Sequence, residues 1–215
     1  MKLAVLTDFD GTVARSDASY AVLDRFGENI WKDIEERAMR GEITIPEALR
    51  EQSRLIRCTR EDIEDYLLDV MEIREGFREF ANFCRDHGIH LEICSDGFGL
   101  TIEILLKHWD LDWIQWSSNN LIPDKEGSSI EFPYLKESCP VNANCKCSHL
   151  ERLESDYEKV VFVGDGTTDV CVARKAEVVF ARDQLAKIMD SEGLEYIQWD
   201  SWDRIRKEVE RIISG

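Results

Sequence analysis

The residues best suited to chemistry stand near the start of the chain. They are Asp8-Phe9-Asp10-Gly11-Thr12, directly after the apolar run Leu3-Ala4-Val5-Leu6. A carboxylate is a weak nucleophile, but it can attack phosphorus when a metal ion neutralises the opposing charges. Gly11 permits the tight turn that takes the chain off the strand, so both carboxylates can face one phosphate. Asp8 is placed to attack. Asp10 is placed to protonate the leaving oxygen and later to take a proton from the hydrolytic water. The competing reading is an acidic turn after a strand.

Three further segments supply what this chemistry needs. Ser95 is followed by Asp96 and Gly97. Its hydroxyl and nearby backbone N–H groups suit phosphate oxygens, although a serine here would equally cap the next helix. Lys146 would offset the charge of Asp8 and the phosphate; an isolated lysine is more often a solvated surface residue. The fourth segment is Gly164-Asp165-Gly166-Thr167-Thr168-Asp169. Magnesium takes octahedral oxygen coordination and keeps several waters. Asp8, Asp165 and the backbone carbonyl of Asp10 would hold it, with Asp169 reaching the metal through water or orienting Lys146. The alternative is a threonine-capped helix with acids in its first turn.

These segments need elements to position them. Leu3–Leu6, His90–Cys94 and Val160–Val163 read as strands, and Val178–Ala181 as a shorter one. Asp8, Ser95 and Asp165 each fall just past such a strand. Strands alternating with helices predict an α/β fold with a doubly wound parallel sheet, in which ligands bind beyond the carboxyl ends of the strands. Residues 15–74 show helix signals only. Thr44 with Glu47 and Thr59 with Asp62 read as helix starts. A helical cap over 15–74, inserted into a core of 1–14 and 75–215, is the expected organisation. Trp113 to Pro140 reads as irregular, and Trp202–Ile213 as a last amphipathic helix.

In order and context, the four motifs resemble the haloacid dehalogenase-like superfamily. The second Asp of D-x-D is similar to its phosphatase and phosphomutase branches, and the helical insert resembles the phosphoserine-phosphatase-like group. Residues 73–80, the stretch from Cys139 to Lys146, the run Gly164–Val170 and residues 179–183 are similar to a methionine-salvage subfamily. Its members act on 2-hydroxy-3-keto-5-methylthiopentenyl-1-phosphate. The resemblance implies a magnesium-dependent phosphatase that works through an aspartyl-phosphate on a small phosphorylated metabolite. Thr12, Asp17, Asp96 and Gly97 would lie on the substrate side. Asp17 corresponds to an acidic substrate-binding residue of phosphoserine phosphatases, or else simply starts a helix. Asp96 stands where many relatives have glycine, so its carboxylate must point away while its N–H binds phosphate. Arg54 and Arg57 are candidate cap contacts. Phosphoserine hydrolysis is the alternative within the same class. Phosphotransfer to an acceptor alcohol is another activity for the same motifs, and a non-enzymatic binding module is disfavoured because all four are filled.

Bulk properties narrow the partners. The net charge is −17, from 27 basic and 44 acidic residues among 215. Such a surface repels nucleic acid and anionic membrane. No apolar stretch approaches the roughly 18 residues of a membrane span. The seven cysteines, without a visible export signal, predict reduced thiols in the cytoplasm; the protein is expected as a monomer or homodimer, a choice the sequence leaves open. Cys139, Cys145, Cys147 and His149 offer zinc-type ligands at a spacing that fits no common zinc site, so no zinc is expected.

Overall fold

In a computed structural model that describes residues 1–136, 139 and 142–214, Leu3–Thr7 forms β1, buried along its whole length. Leu3 and Val5 enter one apolar cluster, Ala4 and Leu6 another. A strand covered on both faces is apolar throughout, which explains the continuous run. After β1 come four helices: α1 (Ala18–Phe26), α2 (Trp31–Met39), α3 (Ile45–Leu55) and α4 (Arg60–Val70). Then follow α5 (Phe77–Asp86), β2 (His90–Phe98), α6 (Gly99–His108), β3 (Gln115–Ile122) and β4 (Ser129–Glu131). The chain ends with α7 (Lys146–Asp156), β5 (Lys159–Gly164), α8 (Val170–Ala173), β6 (Val178–Ala181), α9 (Asp183–Glu192), β7 (Ile197–Gln198) and α10 (Trp202–Ser214).

The sheet runs β4-β3-β2-β1-β5-β6-β7, and every pair is parallel except β3 with β4. Apolar residues of α5, α6 and α10 cover one face, and those of α7, α8 and α9 the other. This is the expected doubly wound α/β architecture. Strand order reverses at β1, between β2 and β5, so a crevice opens at the carboxyl end of β1. No helix among the described residues is long and apolar enough to cross a membrane.

The helices α1 to α4 leave and rejoin the sheet at adjacent points. Ala14 bridges Ile73, and Arg15 N–H donates to the Glu72 carbonyl. Thr44 and Thr59 each close a reciprocal capping box, with Glu47 and Asp62, at the starts of α3 and α4. Val22, Leu23, Leu49 and Ile63 join the same cluster as one face of the sheet, so the insert packs onto the core.

The segment expected to be irregular, Trp113 to Pro140, instead contains β3 and the short β4; Glu137, Ser138, Pro140 and Val141 lie outside the described residues. The reason is chemical. Ser117, Ser118 and Asn119 of β3 are buried, and they serve the neighbouring chain rather than an apolar core. Ser118 Oγ donates to the Gly97 carbonyl at 2.8 Å and Asn119 Nδ2 to the Asp96 carbonyl at 2.7 Å. A strand with polar buried residues carries no apolar periodicity. β2 also runs past its expected end at Cys94, to Phe98, with a register shift between the two.

Candidate active site

β1 delivers Asp8 to the crevice, where its backbone N–H still donates to the Val163 carbonyl at 2.9 Å. The chain then turns at Gly11 with φ +75°, and a β-carbon there would collide with the Asp165 carboxylate. Arg74 and Trp202 support this turn, donating to the carbonyl of Thr12 at 3.1 and 3.2 Å. Lys146, at the start of α7, is 1% exposed and so is not a solvated surface lysine. Its Nζ lies 2.8 Å from Asp8 Oδ1 and also contacts Asp169. The second oxygen of Asp169 accepts the backbone N–H groups of Asp165 and Gly166, each at 3.0 Å. Asp169 therefore orients Lys146 and shapes the Asp165 loop at once.

Carboxylate oxygens of Asp8, Asp165 and Asp169 all lie within 4.8 Å of one another, the one such metal-ligand group among the described residues. Burial, and then repulsion from Asp169, push the Asp8 carboxyl well above its ordinary value against the pull of Lys146. Burial raises Asp165 to about 6, opposed by the hydrogen bond from Thr12. Burial works against the charge on Lys146, but Asp169 and Asp8 outweigh it and hold the ammonium well above its usual range. Two buried carboxylates and the half-buried Asp165 against one ammonium leave an excess of negative charge. An oxygen-ligated divalent cation fits that donor set.

The substrate side is a cavity of about 600 Å³ between the sheet ends and helices α1 to α3. Asp8, Asp10, Asp17, Ser95, Asp96 and Gly97 all border it. Asp10 accepts the Ala18 N–H at 2.7 Å and lies 3.3 Å from the Ser95 hydroxyl. Burial and neighbouring Asp17 push its carboxyl well above the usual range. Asp17 both caps α1, accepting the Tyr20 N–H at 2.8 Å, and faces the cavity; burial raises it to about 7. Gly97 has no room for a side chain, because a β-carbon would stand 2.5 Å from Ser19 Oγ and 2.7 Å from Asp10 Oδ2. The Asp96 carboxylate accepts the Asn144 N–H at 2.7 Å, and burial lifts it to about 6.

Some expectations change. Thr12, expected on the substrate side, is fully buried and its hydroxyl donates to Asp165, so it positions that carboxylate. For Asp10 the expected metal ligand is its backbone carbonyl, and its carboxylate lies outside the three-acid group, hydrogen-bonded beside Ala18 and Ser95. Arg54 and Arg57 are exposed and do not border the cavity. The Cys139, Cys145, Cys147 and His149 set does not form a ligand group: Cys147 Sγ lies 3.1 Å from Cys171 Sγ, and His149 is turned to Glu92 and Asn144.

Several site residues gave no motif signal. Glu35 borders the cavity and accepts hydrogen bonds from Tyr20 at 2.7 Å and Gln52 at 2.9 Å. Thr167 and Thr168, which stand inside the Gly164–Asp169 motif without an assigned site role, border it from the Asp165 loop. Asn144 and Asn119 brace the Ser95 segment from outside the cavity.

Comparison with known proteins agrees with this geometry. The family model for haloacid dehalogenase-like hydrolases matches residues 5–174. A 2-hydroxy-3-keto-5-methylthiopentenyl-1-phosphate phosphatase of Brevibacillus brevis is 30% identical over 188 residues, covering 86% of this chain and 85% of the relative. One from Bacillus pumilus is 26% identical over 218 residues, covering 98% and 92%. A substrate-bound phosphoserine phosphatase structure shares the fold, with TM-score 0.74, 24% identity, and coverage of 97% of this chain and 98% of that one. The chain belongs to the haloacid dehalogenase-like hydrolase family and is one of its phosphatases.

Proposed function

We propose that the protein hydrolyses a small phosphorylated metabolite through an aspartyl-phosphate on Asp8, with magnesium as cofactor. The observation that carries this reading is Asp8 itself: a buried strand-end carboxylate, paired with Lys146 and bordering the cavity beneath α1 to α3. An Asp8 oxygen forms a bond to phosphorus while the ester oxygen departs. Asp10, which borders the same cavity beside Ala18 and Ser95, gives that oxygen a proton. Water then attacks the phosphorus, Asp10 takes its proton, and the bond to Asp8 breaks to release inorganic phosphate. Lys146 offsets the charge on Asp8 and the phosphoryl group throughout. The Ser95 hydroxyl and the Asp96 and Gly97 N–H groups hold phosphoryl oxygens. Asp8 and Asp165 would bind the magnesium directly, and Asp169 would support them. The ion supplies neutralisation of the charge that otherwise keeps a carboxylate from a phosphate ester.

We further infer that residues 15–74 act as the specificity cap. The cavity lining contains no Lys, Arg or His among the described residues, whereas Asp17, Glu35, Glu42 and Glu47 contribute acids. A leaving group that carries a carboxylate, as phosphoserine does, would find no cationic partner there. Leu23, Ile43 and Leu49 instead provide an apolar wall. This supports 2-hydroxy-3-keto-5-methylthiopentenyl-1-phosphate, whose leaving group is uncharged and ends in a thioether. The test is kcat/KM over that compound, phosphoserine, sugar phosphates and a phosphopeptide, with magnesium and with chelator. The enol-phosphate is expected to lead phosphoserine by tenfold or more, about 1.4 kcal/mol in transition-state binding. Chelation should abolish turnover and magnesium restore it. A tenfold lead for phosphoserine would overturn the substrate assignment; full activity in chelator would overturn the metal.

A further inference from the structure

Between β2 and α7 lies a polar chain that the mechanism above does not use. Glu92 and Cys94 share one face of β2, the face covered by α7, and the register of the strand shifts between Cys94 and Phe98, where the chain reaches the cavity at Ser95 and Asp96. Glu92 is 4% exposed. Its carboxylate accepts from Arg152 at 2.6 and 2.7 Å, from His149 Nδ1 at 3.1 Å and from His90 at 3.1 Å. Burial alone would raise its carboxyl, but these three partners together hold it well below the usual carboxylate range. His149 continues the chain: its Nε2 lies 2.9 Å from Asn144 Oδ1. Asn144 is fully buried and closes it on the catalytic side.

Asn144 grips the Ser95 segment twice. Its Nδ2 donates to the Ser95 carbonyl at 3.0 Å, and its backbone N–H donates to Asp96 Oδ1 at 2.7 Å. The orientation of the amide is determined, since the Ser95 carbonyl can only accept; Oδ1 must be the atom facing His149. The Ser95 carbonyl and the Asp96 N–H belong to one trans peptide and point in opposite directions. Ser95 and Asp96 border the cavity and Asn144 does not. Holding the carbonyl from behind therefore aims the Asp96 N–H forward, into the crevice. Asn144 is also two residues before Lys146, so the same side chain fixes the Ser95 segment relative to the start of the lysine helix.

We propose that Asn144, braced by His149 and Glu92, is a positioning residue that aims the Ser95–Asp96 peptide at the phosphoryl group and sets its register against Lys146. Asp96 has a role in this arrangement: its carboxylate is the other half of the clasp. The inference rests on the assignment of the Ser95 segment to phosphoryl binding.

The test compares Asn144→Asp, which keeps the shape but loses the Nδ2 donor, with Glu92→Gln and His149→Leu. Each is assayed for kcat, KM, thermal unfolding and inhibition by orthovanadate, which mimics the phosphoryl group in transfer. His149→Gln, which can still donate to Asn144, serves as the conservative rescue. Arg152→Met, at the half-exposed end of the chain, gives a variant with little risk to folding. The expected result is a loss of kcat/KM of about 10–100-fold in Asn144→Asp, matched by an equal weakening of vanadate inhibition. His149→Gln should fall between wild type and His149→Leu in both, and Arg152→Met should shift both in the same direction by less. The ratio of kcat/KM between two substrates with different leaving groups should not move, because the cap is untouched. Variants that unfold at lower temperature yet keep wild-type vanadate inhibition would overturn the proposal alone. Wild-type protein that neither cleaves a phosphomonoester nor binds vanadate would overturn the phosphatase reading, and this proposal with it.

Discussion

Asp8→Asn is expected to lower turnover by at least about 10³-fold while leaving the fold in place. Asparagine has the same shape but cannot form the acyl-phosphate. Lys146 loses one of its two carboxylate partners and keeps Asp169, so the pair that anchors α7 to the Asp165 loop survives. Burial already disfavours the charged form of Asp8, so replacing it removes a costly ion from the interior. Steady-state kinetics and thermal unfolding of the purified variant check both halves. Activity above about one-tenth of wild type would remove Asp8 from the role of nucleophile.

Lys146→Met is expected to damage both stability and activity. Methionine fills the aliphatic volume of a side chain that is 1% exposed, but it leaves Asp8 and Asp169 facing one another without a cation. Removing one member of a buried charge cluster costs about 3–5 kcal/mol, because the remaining charges are left uncompensated. Chemical denaturation should show that loss. Turnover should fall by about 10² or more, since the ammonium stands where charge develops during phosphoryl transfer. A variant with wild-type stability and wild-type turnover would show that the lysine belongs to neither the core electrostatics nor the chemistry.

Much of this arrangement was legible in the sequence because it depends on short-range patterns. The run Leu3–Leu6 announces a strand covered on both faces, and the Thr44–Glu47 and Thr59–Asp62 pairs mark helix starts within four residues. The order of Asp8, Ser95, Lys146 and Asp165 reads as one crevice once alternating strands and helices are recognised. What stayed hidden depends on long-range partners. Thr12 looked like a substrate contact because nothing local shows that Asp165, 153 residues on, takes its hydroxyl. The β3 strand is hard to read because, apart from Leu121, its buried residues are serine and asparagine, with Ser118 and Asn119 committed to the Ser95 segment. Glu92 and His149 are 57 residues apart and match no motif. One signal was available: a glutamate inside the apolar strand His90–Cys94 needs a buried partner. The cavity wall of α1 to α3 was unreadable for another reason, since specificity there comes from the juxtaposition of three helices rather than from any spacing along one.

The most direct test of the central claim is to trap the covalent intermediate. Protein is quenched in acid during turnover of its best phosphorylated substrate and reduced with borohydride, which converts an aspartyl-phosphate to homoserine. Peptides are then mapped by mass spectrometry. The account predicts homoserine at position 8 and at no other aspartate, absent without substrate and absent from the Asp8→Asn variant. Rapid turnover with Asp8 unmodified throughout, or the label on a different residue, would contradict it.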